Sequence, residues 1–120
     1  SVNGKPYSAS CYYAFDLENE LLIFSSEERT KHISDALQNK LVSGTINAAN
    51  KTVAKIQGIQ YTGVFVQPLK DEQTAYYEVY YNRFPFARAN PAPVWSIKLD
   101  WIKMTDNTLG FGTKLEWERA

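Results

Sequence analysis

The chain has 120 residues, a length typical of one domain, so we predict a single domain over residues 1–120. Thirteen basic and thirteen acidic side chains give a formal net charge of zero, which excludes a strong overall attraction to nucleic acid or to an anionic membrane. The apolar stretches are too short to cross a bilayer. The single cysteine excludes an internal disulfide and a thiolate zinc cluster, and it favours a cytoplasmic protein.

The first predicted element is a half-buried strand over residues 7–15, in which apolar or aromatic residues recur at every second position. These positions are Tyr7, Ala9, Cys11, Tyr13 and Phe15, so we expect Cys11 to lie in the core. The polar stretch DLEN predicts a turn, and ELLIF, which is apolar at consecutive positions, predicts a second strand covered on both faces. Together they predict a hairpin.

A short helix is predicted after ELLIF, within SSEERTKHI (residues 25–33). Ser25 or Ser26 would cap its start, and Ser25 with Glu28 has the spacing of a capping box. Apolar residues then recur at helical spacing, and residues 38–40 close the helix.

The remaining elements alternate between strand and helix patterns. We predict a strand over residues 41–48, a long strand over 52–69, a helix over 71–84, and strands over 94–103 and 111–119. Five to six strands with two short helices favour a small antiparallel barrel, so the fold class is mainly β.

Individual side chains give few signals for catalysis or metal binding. His32 is the only histidine, so a catalytic triad or a multi-histidine metal centre would lack its parts. We expect an exposed or capping histidine, although a single histidine can also ligate haem. Trp95, Trp101 and Trp117 are expected to pack in the barrel or at an interface. No metal site is predicted.

Three stretches carry a family resemblance. The order of strand, FSSEERTKHI, strand, long strand, helix and VWSIKLDWIKMTDNTLGFGTKLEW resembles the pyridoxamine 5'-phosphate oxidase-like, FMN-binding split barrels over nearly the whole chain. Within them, KTVAKIQGIQYTG, NRFPFARANPAPVW and TDNTLGFG are similar to the uncharacterised bacterial YhbP-like family. The resemblance implies an FMN-binding split barrel. Its members usually carry one further strand ahead of the segment that begins at Ser1, so we expect an N-terminal strand to be missing here.

The resemblance also implies an FMN phosphate site in SSEERTKHI. In flavin-binding members a hydroxyl at the strand end and a basic pair in the next turn hold the phosphate. By position these correspond to Ser25 and to Thr30 with Lys31, so only Lys31 keeps the charge, while Ser26 and the amides after Ser25 lie in the same turn. The cations of the preceding strand are absent from SASCYYA. TLGFGTK replaces the oxidase's substrate-binding arginine and histidine motif, so pyridoxamine phosphate is not the expected substrate.

Two further ligands are expected near the C-terminus. Lys114 is the only cation in TLGFGTK, and Asn107 is a suitable donor to the edge of a flavin ring, although turn formation is the stronger interpretation of Asn107. The resemblance and an aromatic content of 14% predict a homodimer that shares two flavin clefts.

Three functions are consistent with these observations. The first is an FMN-dependent oxidoreductase that acts on an unknown small substrate with an unknown electron donor, in which the flavin carries the chemistry. The second is a non-catalytic module that binds flavin or haem. The third is a cofactor-free, dimeric interaction protein. We take the oxidoreductase as the leading hypothesis.

Overall fold

The computed structural model describes residues 1–47, 57–110 and 112–119. Within them lie six strands and two α-helices. The strands are β1 Tyr13–Asp16, β2 Leu21–Ser25, β3 Leu41–Asn47, β4 Gln57–Val66, β5 Val94–Asp106 and β6 Lys114–Glu118, and the helices are α1 Lys31–Gln38 and α2 Gln73–Arg83. The predicted mainly antiparallel β fold with five to six strands and two short helices is confirmed. Ala48, the first part of the predicted strand 52–69, and Phe111 lie outside the described residues.

The hydrogen-bonded strands follow the order β1-β2-β5-β4-β3, and β6 pairs with β5 outside this path. β1 and β2 form the predicted hairpin. The first part of β5 pairs with β2, and its second part pairs with β6, both antiparallel. The chain divides into two units: residues 1–42 with 64–98 form the first, and residues 43–63 with 99–120 form the second. The single domain over residues 1–120 stays a prediction.

Strand β2 lies between two hydrophobic clusters of the first unit. One cluster includes α2 and contains Ala14, Leu21, Ile23, Tyr76, Tyr80, Phe84 and Val94. The other includes α1 and contains Phe24, Ile33, Ala36, Phe65 and Trp95. The prediction that β2 is covered on both faces is therefore confirmed. Each fully buried large apolar side chain stabilises the fold by about 1.5–3 kcal/mol. Burial in these two clusters is therefore the main interaction that holds both helices against the strands.

Strand β1 is shorter than predicted, and its buried face is the opposite one. Ala14 is 3% exposed, whereas Phe15 is 47% exposed. The small side chain of Ala14 allows α2 to approach, because Tyr80 and Phe84 pack in the same cluster. Cys11 precedes the strand and is exposed. The prediction that Cys11 lies in the core is wrong.

Helix α1 begins later than predicted. Its N-cap is Thr30, which makes no side-chain capping bond, whereas Ser25 still pairs with Val94 in the sheet. The sheet contact continues one residue further, since the Ser26 N–H donates to the Pro93 carbonyl at 3.0 Å. Long-range pairing thus occupies the segment that the local pattern assigned to a cap, and the capping-box interpretation is wrong.

In the second unit, Gly44 of β3 lies against the ring of Tyr61 in β4. A Cβ placed on Gly44 would come within 2.5 Å of the Tyr61 Cζ. We expect Gly44→Ala to lower the free energy of unfolding by about 1–3 kcal/mol, because the ring would have to move within the sheet. Urea unfolding followed by circular dichroism measures this change.

Gly58→Ala is the matched control for this substitution. Its added methyl group would meet the Asn47 side chain, 2.8 Å from Oδ1 and 3.9 Å from Cγ, and Oδ1 is at the end of a flexible side chain. We expect a change below about 1 kcal/mol, since a side chain at a strand position also reduces the entropy of the unfolded chain. Equal stabilities for the two variants would contradict the close packing of Tyr61 on Gly44.

Candidate functional site

Ser25 ends β2 with its hydroxyl directed at main-chain carbonyls. Its Oγ lies 3.2 Å from the carbonyl oxygen of Ala92 and 3.2 Å from that of Pro93. Both carbonyls belong to the loop before β5, so Ser25 joins the end of β2 to that loop. A hydroxyl has one proton to donate. Ser25 could therefore donate to a phosphate only by leaving these carbonyls.

Ser26 is fixed at three points. Its N–H donates to the Pro93 carbonyl at 3.0 Å, and its carbonyl accepts from the Trp95 indole N–H at 2.9 Å. Its Oγ lies 2.8 Å from the Nε2 of His32. Because Trp95 is buried, the backbone on which the Ser26 hydroxyl sits is held rigidly against the core. The hydroxyl is directed toward the start of α1.

Thr30 completes a small polar cluster with Ser26 and His32. Its Oγ1 lies 3.4 Å from the Ser26 Oγ and 3.4 Å from the His32 Nε2, and it donates to the Glu27 carbonyl at 3.0 Å. We call Ser26, Thr30 and His32 the hydroxyl–imidazole cluster. All three side chains are half-buried. The cluster offers two hydroxyls and one imidazole at a single place on the surface.

His32 was not among the ligands predicted from the sequence. An exposed or capping side chain was expected, but His32 is half-buried and its Nε2 is hydrogen-bonded to the Ser26 hydroxyl. The contact was not predicted because the helix was expected to begin at Ser25 or Ser26. In the structure the turn continues to Thr30, and His32 then lies beside Ser26. The available signal was a lone histidine following two serines at a strand end.

The start of α1 has backbone donors to offer. The first helical bond runs from the Ser34 N–H to the Thr30 carbonyl at 3.0 Å. No side chain among the described residues caps this end, so the N–H groups of residues 31–33 are available to solvent or to a ligand. Such groups favour an anion. The exposed side chains of Glu27 and Glu28 in the preceding turn oppose one.

Lys31 is engaged with an acidic neighbour. Its Nζ lies 2.8 Å from one carboxylate oxygen of Asp35 and 3.1 Å from the other. It also lies 5.0 Å from the centre of the Tyr7 ring. Since the lysine side chain is 60% exposed, this ion pair contributes about 0–1 kcal/mol and opens at low cost. Asp35 thus neutralises the charge of Lys31, but the ion pair can open and leave Lys31 available to a ligand.

In the second unit, Asp106 organises the turn before β6. It accepts from the main-chain N–H of Thr108 at 3.0 Å, from the Thr108 hydroxyl, and from the Gln57 amide at 3.2 Å. These hydrogen bonds lower the pKa of Asp106 below its usual range, and the bond from the Thr108 hydroxyl has the largest effect. Burial of the carboxylate acts in the opposite direction but is outweighed. The carboxylate of Asp106 therefore has a structural role.

Asn107 and Lys114 belong to this second unit. The Asn107 Oδ1 accepts from the Gly112 N–H at 2.9 Å, which agrees with the stronger interpretation of Asn107 as a turn former. Lys114 is exposed and lies opposite Thr105 in the β5–β6 pair. In the first unit, the structure brings Ser26 and Thr30 together with His32, whereas Ser25 and Lys31 bond to other groups.

Other features of the first unit are separate from these residues. A cleft of about 380 Å³ is lined by Lys40 and residues 64–69, and no predicted ligand lines it. Across the described parts of the chain, no group of three histidine, cysteine, aspartate or glutamate side chains could hold a metal ion. No helix in those parts is long and apolar enough to cross a membrane.

Solved structures with the same fold are distant in sequence. The heme binding protein from Mycobacterium smegmatis superposes with a TM-score of 0.79 at 15% identity, over 98% of this chain and 49% of that chain. The protein Atu2129 from Agrobacterium tumefaciens, of unknown function, superposes with a TM-score of 0.72 at 17% identity, over 86% of this chain and 46% of that chain. This chain thus spans about half the length of each. At these identities the likeness concerns the fold alone.

Sequence relatives are much nearer. No protein-family model matches the chain. The UPF0306 protein YhbP from Salmonella schwarzengrund is 44% identical over 116 residues, which cover 97% of this chain and 79% of that protein. A UPF0306 protein from Citrobacter koseri is 44% identical over 117 residues, which cover 98% of this chain and 80% of that protein. With this identity over most of both lengths, the chain belongs to the UPF0306 family of YhbP proteins.

Proposed function

We propose that this protein is a member of the pyridoxamine 5'-phosphate oxidase-like superfamily and that it binds FMN, with the terminal phosphate at the turn between β2 and α1. The observation that carries the proposal is the hydroxyl–imidazole cluster beside the uncapped start of α1. Hydroxyls and free amide groups that converge on one place suit a phosphate, which accepts several hydrogen bonds at once.

The individual roles follow from the contacts. Ser26 supplies a hydroxyl from a turn that Trp95 and Pro93 hold in place. The Thr30 hydroxyl donates to the Glu27 carbonyl at 3.0 Å, so it would donate to a phosphate only by leaving that carbonyl. The N–H groups of residues 31–33 add donors, and Lys31 adds charge when its pair with Asp35 opens. Ser25 acts chiefly by fixing the strand end, since its hydroxyl bonds to carbonyls of the loop.

Flavin chemistry would make the protein an FMN-dependent oxidoreductase. A bound flavin supplies hydride or electron transfer, and the protein supplies binding, orientation and the exclusion of water. No acid or base on the protein is required for that chemistry. The homodimer stays a prediction, which exposed apolar side chains on two elements support: Tyr13 and Phe15 on β1, and Leu115 and Trp117 on β6.

Haem binding is the second candidate, and it is supported by the Mycobacterium smegmatis protein, which is described as heme binding. The one histidine of this chain is His32, and its Nε2 is bonded to Ser26 at 2.8 Å. Axial ligation through that nitrogen would have to displace the Ser26 hydroxyl. A phosphate would not require that bond to break, because Ser26 can donate to it while accepting from the His32 Nε2–H, so the contact favours FMN over haem.

A visible absorption spectrum of the freshly purified protein tests the proposal first, because flavin and haem absorb at different wavelengths. We expect a flavin spectrum, or FMN binding on addition that is about tenfold tighter than that of riboflavin, which lacks the phosphate. Anaerobic reduction of the bound flavin by a nicotinamide cofactor would support the oxidoreductase. A colourless protein that binds neither flavin would instead support a cofactor-free interaction protein.

A further inference from the structure

We propose that Asn3 is a site of spontaneous deamidation, at which the side-chain amide is converted through a cyclic imide into aspartate or isoaspartate. The chain contains one asparagine that is followed by a glycine, and this is Asn3 before Gly4. The site lies in the N-terminal segment and is independent of the proposed FMN function. The features that favour the reaction are the conformation and the exposure of one turn.

Asn3 and Gly4 are the two central residues of a tight turn. The Lys5 N–H donates to the Val2 carbonyl at 3.0 Å, and the Val2 N–H donates to the Lys5 carbonyl at 3.2 Å. The φ angles of Asn3 and Gly4 are 54° and 72°, and a two-residue hairpin turn of type I′ requires positive φ at both positions. Asn-Gly is the sequence that this turn favours, so the turn itself selects a glycine after the asparagine.

The amide of Asn3 and the N–H of Gly4 are open to solvent. Both residues are exposed. No hydrogen bond within the described parts of the chain engages the Asn3 side chain or the Gly4 N–H. A Cβ placed on Gly4 would meet no atom beyond its chain neighbours within 4 Å. Water and hydroxide can therefore reach both reacting groups.

Few contacts hold the turn closed. Its Val2–Lys5 pair is a bridge outside the named strands, and an isolated two-stranded hairpin is marginally stable in water. Residues 3–10 are all exposed, so little apolar packing supports the turn. Segments with few buried contacts open locally at little cost. When the turn opens, the Asn3 side chain can fold back onto the Gly4 nitrogen.

The reaction needs water and hydroxide but no oxidant or cofactor. Hydroxide removes the proton of the Gly4 N–H, and the nitrogen attacks the Asn3 Cγ. The bond from the Gly4 nitrogen to Cγ forms, the Cγ–Nδ2 bond breaks, and Nδ2 leaves as ammonia with a proton from water. Water then opens the imide at one carbonyl or the other, which gives aspartate or an isoaspartate whose main chain runs through Cγ. Glycine favours ring closure because it has no Cβ to hinder the attacking nitrogen.

Deamidation adds a negative charge to the turn, and isoaspartate also adds one carbon to the main chain. The longer main chain cannot keep the register of the bridge. The same segment reaches α1, where the Ser1 carbonyl accepts from the Asn39 Nδ2 at 2.8 Å and the Tyr7 ring centre lies 5.0 Å from the Lys31 Nζ. We expect isoaspartate at this position to loosen these contacts, which faster amide hydrogen exchange in the segment would report.

Peptide mapping by mass spectrometry tests the proposal after the folded protein has been incubated at neutral and at mildly alkaline pH. The fragment that contains Asn3 should gain the mass difference between OH and NH2 faster than the fragments that contain Asn19 or Asn39. Its rate should rise with the hydroxide concentration. Enzymatic methylation of isoaspartyl carboxylates should label the same fragment.

Gly4→Ala is the matched control, because it keeps Asn3 and hinders attack by the following nitrogen. Alanine is strained at a φ of 72° and would open the turn, which by itself would speed the reaction. Slower conversion in Gly4→Ala than in the parent would therefore support the proposal. Equal conversion in the two proteins, or a folded parent whose Asn3 fragment keeps its mass while the protein unfolded in urea converts, would overturn it.

Discussion

Replacing Trp95 with alanine should lower the free energy of unfolding by about 3–5 kcal/mol, which is among the largest effects expected for any single substitution here. The Trp95 side chain is 3% exposed and stacks on Phe65 at 5.5 Å between ring centres. Its indole N–H also donates to the Ser26 carbonyl at 2.9 Å. Removal of the ring would leave a cavity in the cluster that attaches α1. Thermal and urea unfolding measure the loss.

Two matched variants separate the contributions of Trp95. Trp95→Phe keeps a ring against Phe65 but removes the N–H, so its cost should be about 1–3 kcal/mol and should include looser positioning of Ser26. Trp117→Ala removes a tryptophan that is 37% exposed in β6 of the second unit, and it should cost less than Trp95→Ala. A Trp95→Ala protein as stable as the parent would contradict the role of this ring in the core.

The elements that could be predicted from the sequence are those whose own residues show, by the spacing of the apolar side chains, which faces are buried. ELLIF is apolar at consecutive positions, which is typical of a strand covered on both faces, and β2 is indeed buried from Leu21 to Phe24. The alternation in VWSIKLDWIK likewise predicted β5, and the helical spacing of the tyrosines predicted α2. These patterns require no knowledge of distant contacts.

The errors arose where distant contacts override a local pattern. Ser25 and Glu28 have capping-box spacing, but pairing with β5, whose residues lie far away in the chain, holds Ser25 in the sheet. Likewise, the alternation in residues 7–15 did not reveal that α2 covers the Ala14 side of β1. The error at the helix start also hid the contact between Ser26 and His32. The turn between β2 and α1 could therefore be predicted as a candidate site, but the hydroxyl–imidazole cluster within it could not.

The Lys31–Asp35 pair gives the largest expected effects on ligand affinity. Lys31→Ala should weaken FMN by roughly tenfold to a hundredfold, because a charged donor to a phosphate is worth about 1.5–3 kcal/mol. Asp35→Asn should strengthen FMN by severalfold, since Asp35 competes with the phosphate for the lysine at 2.8 Å. Neither change should alter riboflavin affinity. Fluorescence titration of both ligands into each variant measures these effects.

Stability provides the first control for this pair. Because the lysine side chain is 60% exposed, loss of the ion pair should change the free energy of unfolding by less than about 1 kcal/mol. An effect on FMN without an effect on stability would then locate the change in ligand binding. A large loss of stability in Lys31→Ala would instead show that the ion pair supports α1.

Lys40→Ala provides the second control, because Lys40 is an exposed lysine of the same unit that lines the separate cleft. If the phosphate lies at the β2–α1 turn, Lys40→Ala should bind FMN like the parent, and Asp35→Asn should still bind it more tightly. If FMN occupied the cleft, Lys40→Ala would weaken binding and both changes at the ion pair would be silent. The opposite signs expected for Lys31→Ala and Asp35→Asn distinguish a phosphate contact from a general disturbance of α1, which would weaken binding in both variants.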